Sequence, residues 1–143
     1  MAEEKDRGEY NRLVNQKKSK QRQYNQCAAR IEENEYLLRR LKPVRDTVAA
    51  QKKEFKQIKK EDKNTVKEKY SWEGKNYNDF KSKGNSMMDE NEYYYKYSID
   101  YVLDSLNNEI TRIENNIMKE YGLLGSLGAS INSLTNKIAN FFN

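Results

Sequence analysis

The sequence predicts an all-α protein: a long antiparallel helical hairpin that completes a helical bundle with partner chains. Three observations predict it. Apolar residues recur at three- and four-residue steps along most of the chain, the spacing that lines one side of a helix. A single Pro and six Gly in 143 residues leave little to interrupt such helices. Hydrophobic residues make up 36% and charged residues 34%, too little apolar surface for one thick core but enough for narrow seams. The length suits one domain.

The first arm is expected over about residues 3–69. A heptad register places Tyr10, Lys17, Tyr24, Ile31, Leu38, Arg45 and Lys52 at one seam position. Leu13, Lys20, Cys27, Asn34, Leu41, Val48 and Phe55 take the other. Polar residues fill about half of this stripe. It is best between Tyr24 and Val48, where Ala28, Leu37 and Val44 broaden it. Pro43 predicts a kink or a short break, because its ring meets the carbonyl four residues back.

Residues 70–79, Tyr-Ser-Trp-Glu-Gly-Lys-Asn-Tyr-Asn-Asp, break the periodicity and predict the turn. Gly74 supplies backbone freedom, while Asn76, Asn78 and Asp79 are suited to cap a following helix. The second arm, about 80–143, carries the strongest periodic signal. Ile99, Leu103, Leu106, Ile110, Ile113, Ile117, Tyr121, Leu124, Ile131, Leu134, Ile138 and Phe141 follow helical steps. Gly122, Gly125 and Gly128 punctuate it at about 1 kcal/mol each. A bend, or a separate terminal helix from Ala129 to Phe142, is the expected consequence.

Composition excludes several function classes. His is absent and Cys27 is the single cysteine, so no disulfide framework, His/Cys zinc site or His-based triad can form within one chain. No carboxylate pair stands beside a nucleophile, which leaves an enzyme reading, a metal site or a cofactor with nothing to rest on. Cys27 lies on the apolar stripe and reads as a small core residue. The N-terminal residues lack the apolar stretch of a cleavable signal peptide, and no run reaches the roughly 18 apolar residues that span a bilayer. The expected location is the cytoplasm before any export, with export by a route that reads no such peptide.

The net charge of +5 is uneven. Residues 1–70 hold twenty Lys/Arg against twelve Asp/Glu, and residues 71–143 hold seven against ten. The run Lys17-Lys18-Ser19-Lys20-Gln21-Arg22 is able to contact phosphates, but no base-reading module accompanies it and a solvated helix face is the preferred account. The last segment, from Gly122 to Phe142, has Lys137 as its sole charge. Interfacial membrane helices carry more cations on their polar face, so packing against a partner helix fits this segment better.

Between the two arms stands Trp72-Glu73-Gly74. Alone, the tripeptide reads as a turn glycine beside a Trp that plugs one end of the pair. With amphipathic helices on both sides, it resembles the WXG-type proteins, small helical hairpins linked to type VII secretion in Gram-positive bacteria. The longer stretch from Trp72 to Phe80, followed by Gly84, is similar to the YwqH-like proteins, small helical companions of LXG polymorphic toxins. In outline the resemblance covers nearly the whole chain; in detail it rests on Trp72, Gly74, Phe80 and Gly84. It implies a chaperone or adaptor that binds the helical N-terminal domain of an LXG toxin beside a second small helical protein. Trp72, Gly74 and Phe80 would then form the hairpin tip. Membrane contact would arise only through the secretion machinery. One departure matters: WXG-type substrates commonly place an aromatic residue four positions before an acidic one, and no Asp or Glu here has that neighbour. Either a partner supplies that part of the export signal, or this protein is an adaptor that depends on the complex.

Tyr93, Tyr94, Tyr95, Tyr97 and Tyr101 form a cluster with two open readings. One buries the rings with hydroxyls at the rim; the other makes them an aromatic surface for a partner. Asp89, Glu90, Glu92 and Asp100 surround them and disfavour nucleic acid. Physically, the second arm is apolar-rich and the first is patchy. Left in water, that surplus is an exposed patch of the kind that marks interaction sites. Covering it stabilises by about 25 cal/mol per Å² before association costs. The residues expected to meet a partner are Tyr94, Tyr97, Tyr101, Leu103, Leu106, Ile110, Ile113, Ile117 and Leu124. A structural coiled-coil homodimer without a secretion role is the competing expectation; an anionic-surface binder is a third.

Overall fold

The computed structural model describes residues 2–68 and 75–143, with side chains for 3–61 and 78–143. Two helices account for nearly all of them: α1, Ala2–Glu68, and α2, Lys75–Ala139. No strand occurs among the described residues. The turn tripeptide Trp72-Glu73-Gly74 lies outside them.

α2 starts earlier than the turn chemistry implied. Residues 75–79 are helical, so Asn78 and Asp79 sit in the first turns instead of before them. Pro43 does not break α1, which is helical on both sides of it. Seam residues precede and follow it, and the Thr47 hydroxyl donates to the Pro43 carbonyl at 2.9 Å. Nor do the glycines divide α2: the helix passes through Gly122, Gly125 and Gly128 to Ala139 with no separate terminal helix. Leu124 and Leu127, set between the glycines, pack inward, and that burial offsets their low propensity. Beyond Ala139 the chain turns, with Asn140 donating to the Asn136 carbonyl at 3.0 Å.

Contacts divide the chain into two compact units, Met1–Arg39 with Thr111–Asn143 and Arg40–Ile110. In each, the helices lie side by side and antiparallel, the arrangement of a helical hairpin. In the first unit, Tyr10 meets Phe141 while Cys27 meets Glu120, so α1 numbers rise as α2 numbers fall. Its core is Cys27, Ile31 and Leu127, with Tyr24 and Leu124 packed against them, and Ile113 is buried as well. In the second unit, Phe55 stacks on Tyr95 with ring centroids 3.7 Å apart. Lys52 pairs with Asp100 and Lys59 with Glu92. Among the described residues of that unit, Ile110 is the buried apolar one.

The heptad register holds along α1. Every α1 position assigned to the seam from Tyr10 to Phe55 is partly or wholly covered, including the polar Lys17, Lys20, Asn34, Arg45 and Lys52. Lysine and arginine reach such positions by laying their methylene stems along the neighbouring helix. On α2 every residue of the predicted stripe is covered except Tyr121.

Candidate interaction surface

The seam leaves a second set of apolar residues facing outward. On α2 in the Arg40–Ile110 unit, Met87, Tyr94 and Tyr101 follow each other at seven-residue spacing, two helical turns, and so share one face. They are 65%, 72% and 74% exposed. Tyr97 joins them between Tyr94 and Tyr101, and its ring lies 4.5 Å from that of Tyr93. Phe80 extends the same heptad series toward the start of α2 and is half-exposed.

The tyrosine cluster thus splits by angle around the helix. Tyr95 turns inward onto Phe55, while Tyr93, Tyr94, Tyr97 and Tyr101 turn out. The reading in which the cluster is buried with hydroxyls at the rim does not hold for those four. Of the five, Tyr95 is the tyrosine in ring contact with α1.

Other residues expected at a partner surface lie on the seam. Ile110 and Ile113 are buried; Leu103, Leu106, Ile117 and Leu124 are partly covered. Much of their apolar area lies between α1 and α2, and the more exposed apolar surface is the outward one. Of the tip residues, Phe80 is on the described surface, whereas Trp72 and Gly74 lie outside the described residues.

The Met1–Arg39 with Thr111–Asn143 unit holds a polar knot that the sequence did not flag. Arg30 donates from Nε to Glu120 Oε1 at 2.9 Å and from Nη2 to Oε2 at 3.1 Å. The Cys27 thiol donates to Glu120 Oε2 at 3.0 Å and to its carbonyl at 3.1 Å. The hydrogen bonds from Arg30, then that from Cys27, hold the Glu120 carboxyl below its ordinary range, with burial opposing. Burial first, then the bond to Glu120, pushes the Cys27 thiol up. Such a thiol is a packed donor and a poor nucleophile. Nearby, the Tyr121 hydroxyl donates to Glu35 Oε1 at 2.8 Å, which raises the phenol above its usual range. Glu120 was not legible as special because it resembles the many solvated acids around it.

Outward residues in this unit include Met118, Leu123 and Phe142. Tyr10 packs on Phe141 and Phe142, with centroids 5.8 and 5.2 Å away. Among the described residues, no group of three potential ligands converges as a metal site, and no helix is long and apolar enough to cross a membrane.

A model of a protein family, YwqH-like, matches residues 15–136. The chain belongs to the YwqH-like family. No curated protein and no solved structure gives a significant match. The YwqH-like span takes in the whole outward stripe from Phe80 to Tyr101, the polar knot and the core of each unit. It leaves out the Tyr10, Phe141 and Phe142 contact at the chain ends. The tip residues Trp72 and Gly74 fall within it.

Proposed function

We propose that this YwqH-like protein is a non-enzymatic adaptor that binds the helical N-terminal domain of an LXG toxin for type VII secretion. One observation carries the reading. Among the described residues the interior between α1 and α2 is thin, with Cys27, Ile31, Ile110, Ile113 and Leu127 as its buried apolar residues. Meanwhile, large side chains such as Met87, Tyr94, Tyr97, Tyr101 and Met118 stand more than half exposed. Tyrosine and methionine are enriched where proteins meet, and contiguous outward apolar faces mark interaction sites. A helix from another chain covers such a face as in a helical bundle. Family membership supports the choice of a toxin's helical domain as that chain.

In this reading the adaptor is made in the cytoplasm and acts with a second small helical protein. The partner supplies the part of the export signal, an aromatic residue four positions before an acid, that this sequence does not contain. The polar knot and the seam keep the adaptor folded; the outward faces do the binding.

Co-expression tests this reading. A tagged N-terminal domain of an LXG toxin encoded beside this chain is expected to retain it through affinity and size-exclusion steps. Independent elution of the two would contradict it. A stable self-dimer indifferent to the toxin would favour the structural homodimer instead.

A further inference from the structure

We infer that the outward stripe of α2 is a dock for one amphipathic helix whose apolar seam is flanked by lysines and arginines. The inference rests on the adaptor reading and deepens it by naming the face and the chemistry of its occupant. Met87, Tyr94 and Tyr101 repeat every seven residues, which is the spacing a second helix reads along a shared seam. Tyr97 fills the intermediate position, and the rings are exposed along their length. The stripe lies away from the covered residues Met88, Tyr95, Ile99, Leu103 and Leu106, so filling it does not require α1 to leave.

Charge selects the occupant. From Ser86 to Asn108, α2 carries Asp89, Glu90, Glu92, Asp100 and Asp104 against Lys96 alone. Glu92 and Asp100 are engaged by Lys59 and Lys52 of α1. Glu90 stands between Met87 and Tyr94 at helical steps, and Asp104 stands one step beyond Tyr101. Both are exposed and meet no cation among the described residues. Glu90 and Asp104 share the heptad position of Tyr97, so the carboxylates lie in the line of the stripe itself, where they attract the basic side chains of an incoming helix and repel acidic ones. Nucleic acid, which is an anion, is disfavoured by the same carboxylates.

The test uses the full chain and two synthetic four-heptad helices, each with Leu at the seam. One carries Lys at the flanking positions and the other Glu. Fluorescence anisotropy is expected to show the Lys helix binding at least ten-fold more tightly than the Glu helix. The combined variant Tyr94→Ser, Tyr97→Ser and Tyr101→Ser is expected to lose at least ten-fold while its helical circular dichroism and melting stay as in the parent. Glu90→Lys with Asp104→Lys is expected to reverse the preference between the two helices. Equal binding of both helices, or binding that survives the tyrosine changes, overturns the proposal. So does a parent chain that sediments as a dimer while the tyrosine variant sediments as a monomer, because a second copy then fills the face. The toxin domain separates the two layers. If it binds parent and tyrosine variant alike, this face is not the dock and the adaptor reading stands. If it binds neither while the Lys helix behaves as stated, the adaptor reading fails and the face keeps its chemistry.

Discussion

At the scale of single residues, covered and outward side chains make opposite predictions. Ile113 is 1% exposed, and Ile113→Ala is expected to cost about 2–5 kcal/mol, read as a lower urea midpoint. Cys27 is fully covered and its thiol is held protonated by burial and by Glu120. Labelling with a thiol reagent at neutral pH is expected to be slow in buffer and fast in urea; equal rates would contradict the packing described. Glu120 adds a pH dependence. Its folded-state value is depressed by Arg30, so its contribution is complete above the ordinary carboxylate value of 4.5. That contribution is lost as pH falls through the lower folded-state value. The stability gap between the parent and Glu120→Gln is therefore expected to be widest near neutrality and to close under acid, measured by urea unfolding at several pH values. The role of Cys27 was legible from its place on the heptad stripe. Glu120 was not, since no local pattern separates a carboxylate that meets Arg30 and Cys27 from its solvated neighbours. Leu127 was missed for another reason: it stands between Gly125 and Gly128, and the glycines masked its place in the stripe.

At the scale of elements, the register proved more informative than the breakers. A period of three and four residues placed the covered positions of both helices, because burial of one side is what the pattern records. Pro43 and the glycines were read as interruptions from local propensity, and packing on the neighbouring helix overrode them. Their cost remains and can be measured. Pro43 lacks the amide that would bond the Arg39 carbonyl, so Pro43→Ala is expected to stabilise α1, with the helix-interior penalty of about 3 kcal/mol as the upper scale. A Cβ added at Gly125 meets nothing within 4 Å, so Gly125→Ala is expected to raise stability by roughly 0.5–1 kcal/mol. Thermal melts followed at 222 nm check both. A fall in either melting temperature would mean that the proline or the glycine is needed where it stands. The tyrosine run shows the limit of element-level reading. Five tyrosines in nine residues were visible as a group, but which of them turns inward depends on Phe55 in the other helix.

At the scale of the whole molecule, the sequence announced surplus apolar side chains but misplaced part of them. Leu103, Leu106, Ile110, Ile113, Ile117 and Leu124 were assigned to a partner because α1 looked too polar to cover them. Within the hairpin Ile110 and Ile113 are buried and the other four are partly covered, Leu124 packing against Cys27, Ile31 and Leu127. The large apolar side chains that remain outward are about half aromatic, with Met87, Met118 and several aliphatic residues beside them, a composition suited to binding. Burial of apolar surface on association lowers the heat capacity, and this is its most dependable thermodynamic mark. Titration calorimetry of the full chain with the N-terminal domain of the LXG toxin, repeated at several temperatures, therefore addresses the central claim directly. Saturable binding whose enthalpy becomes steadily more negative with warming is the predicted result. No saturable heat at any temperature, or an enthalpy that does not change with temperature, would contradict it.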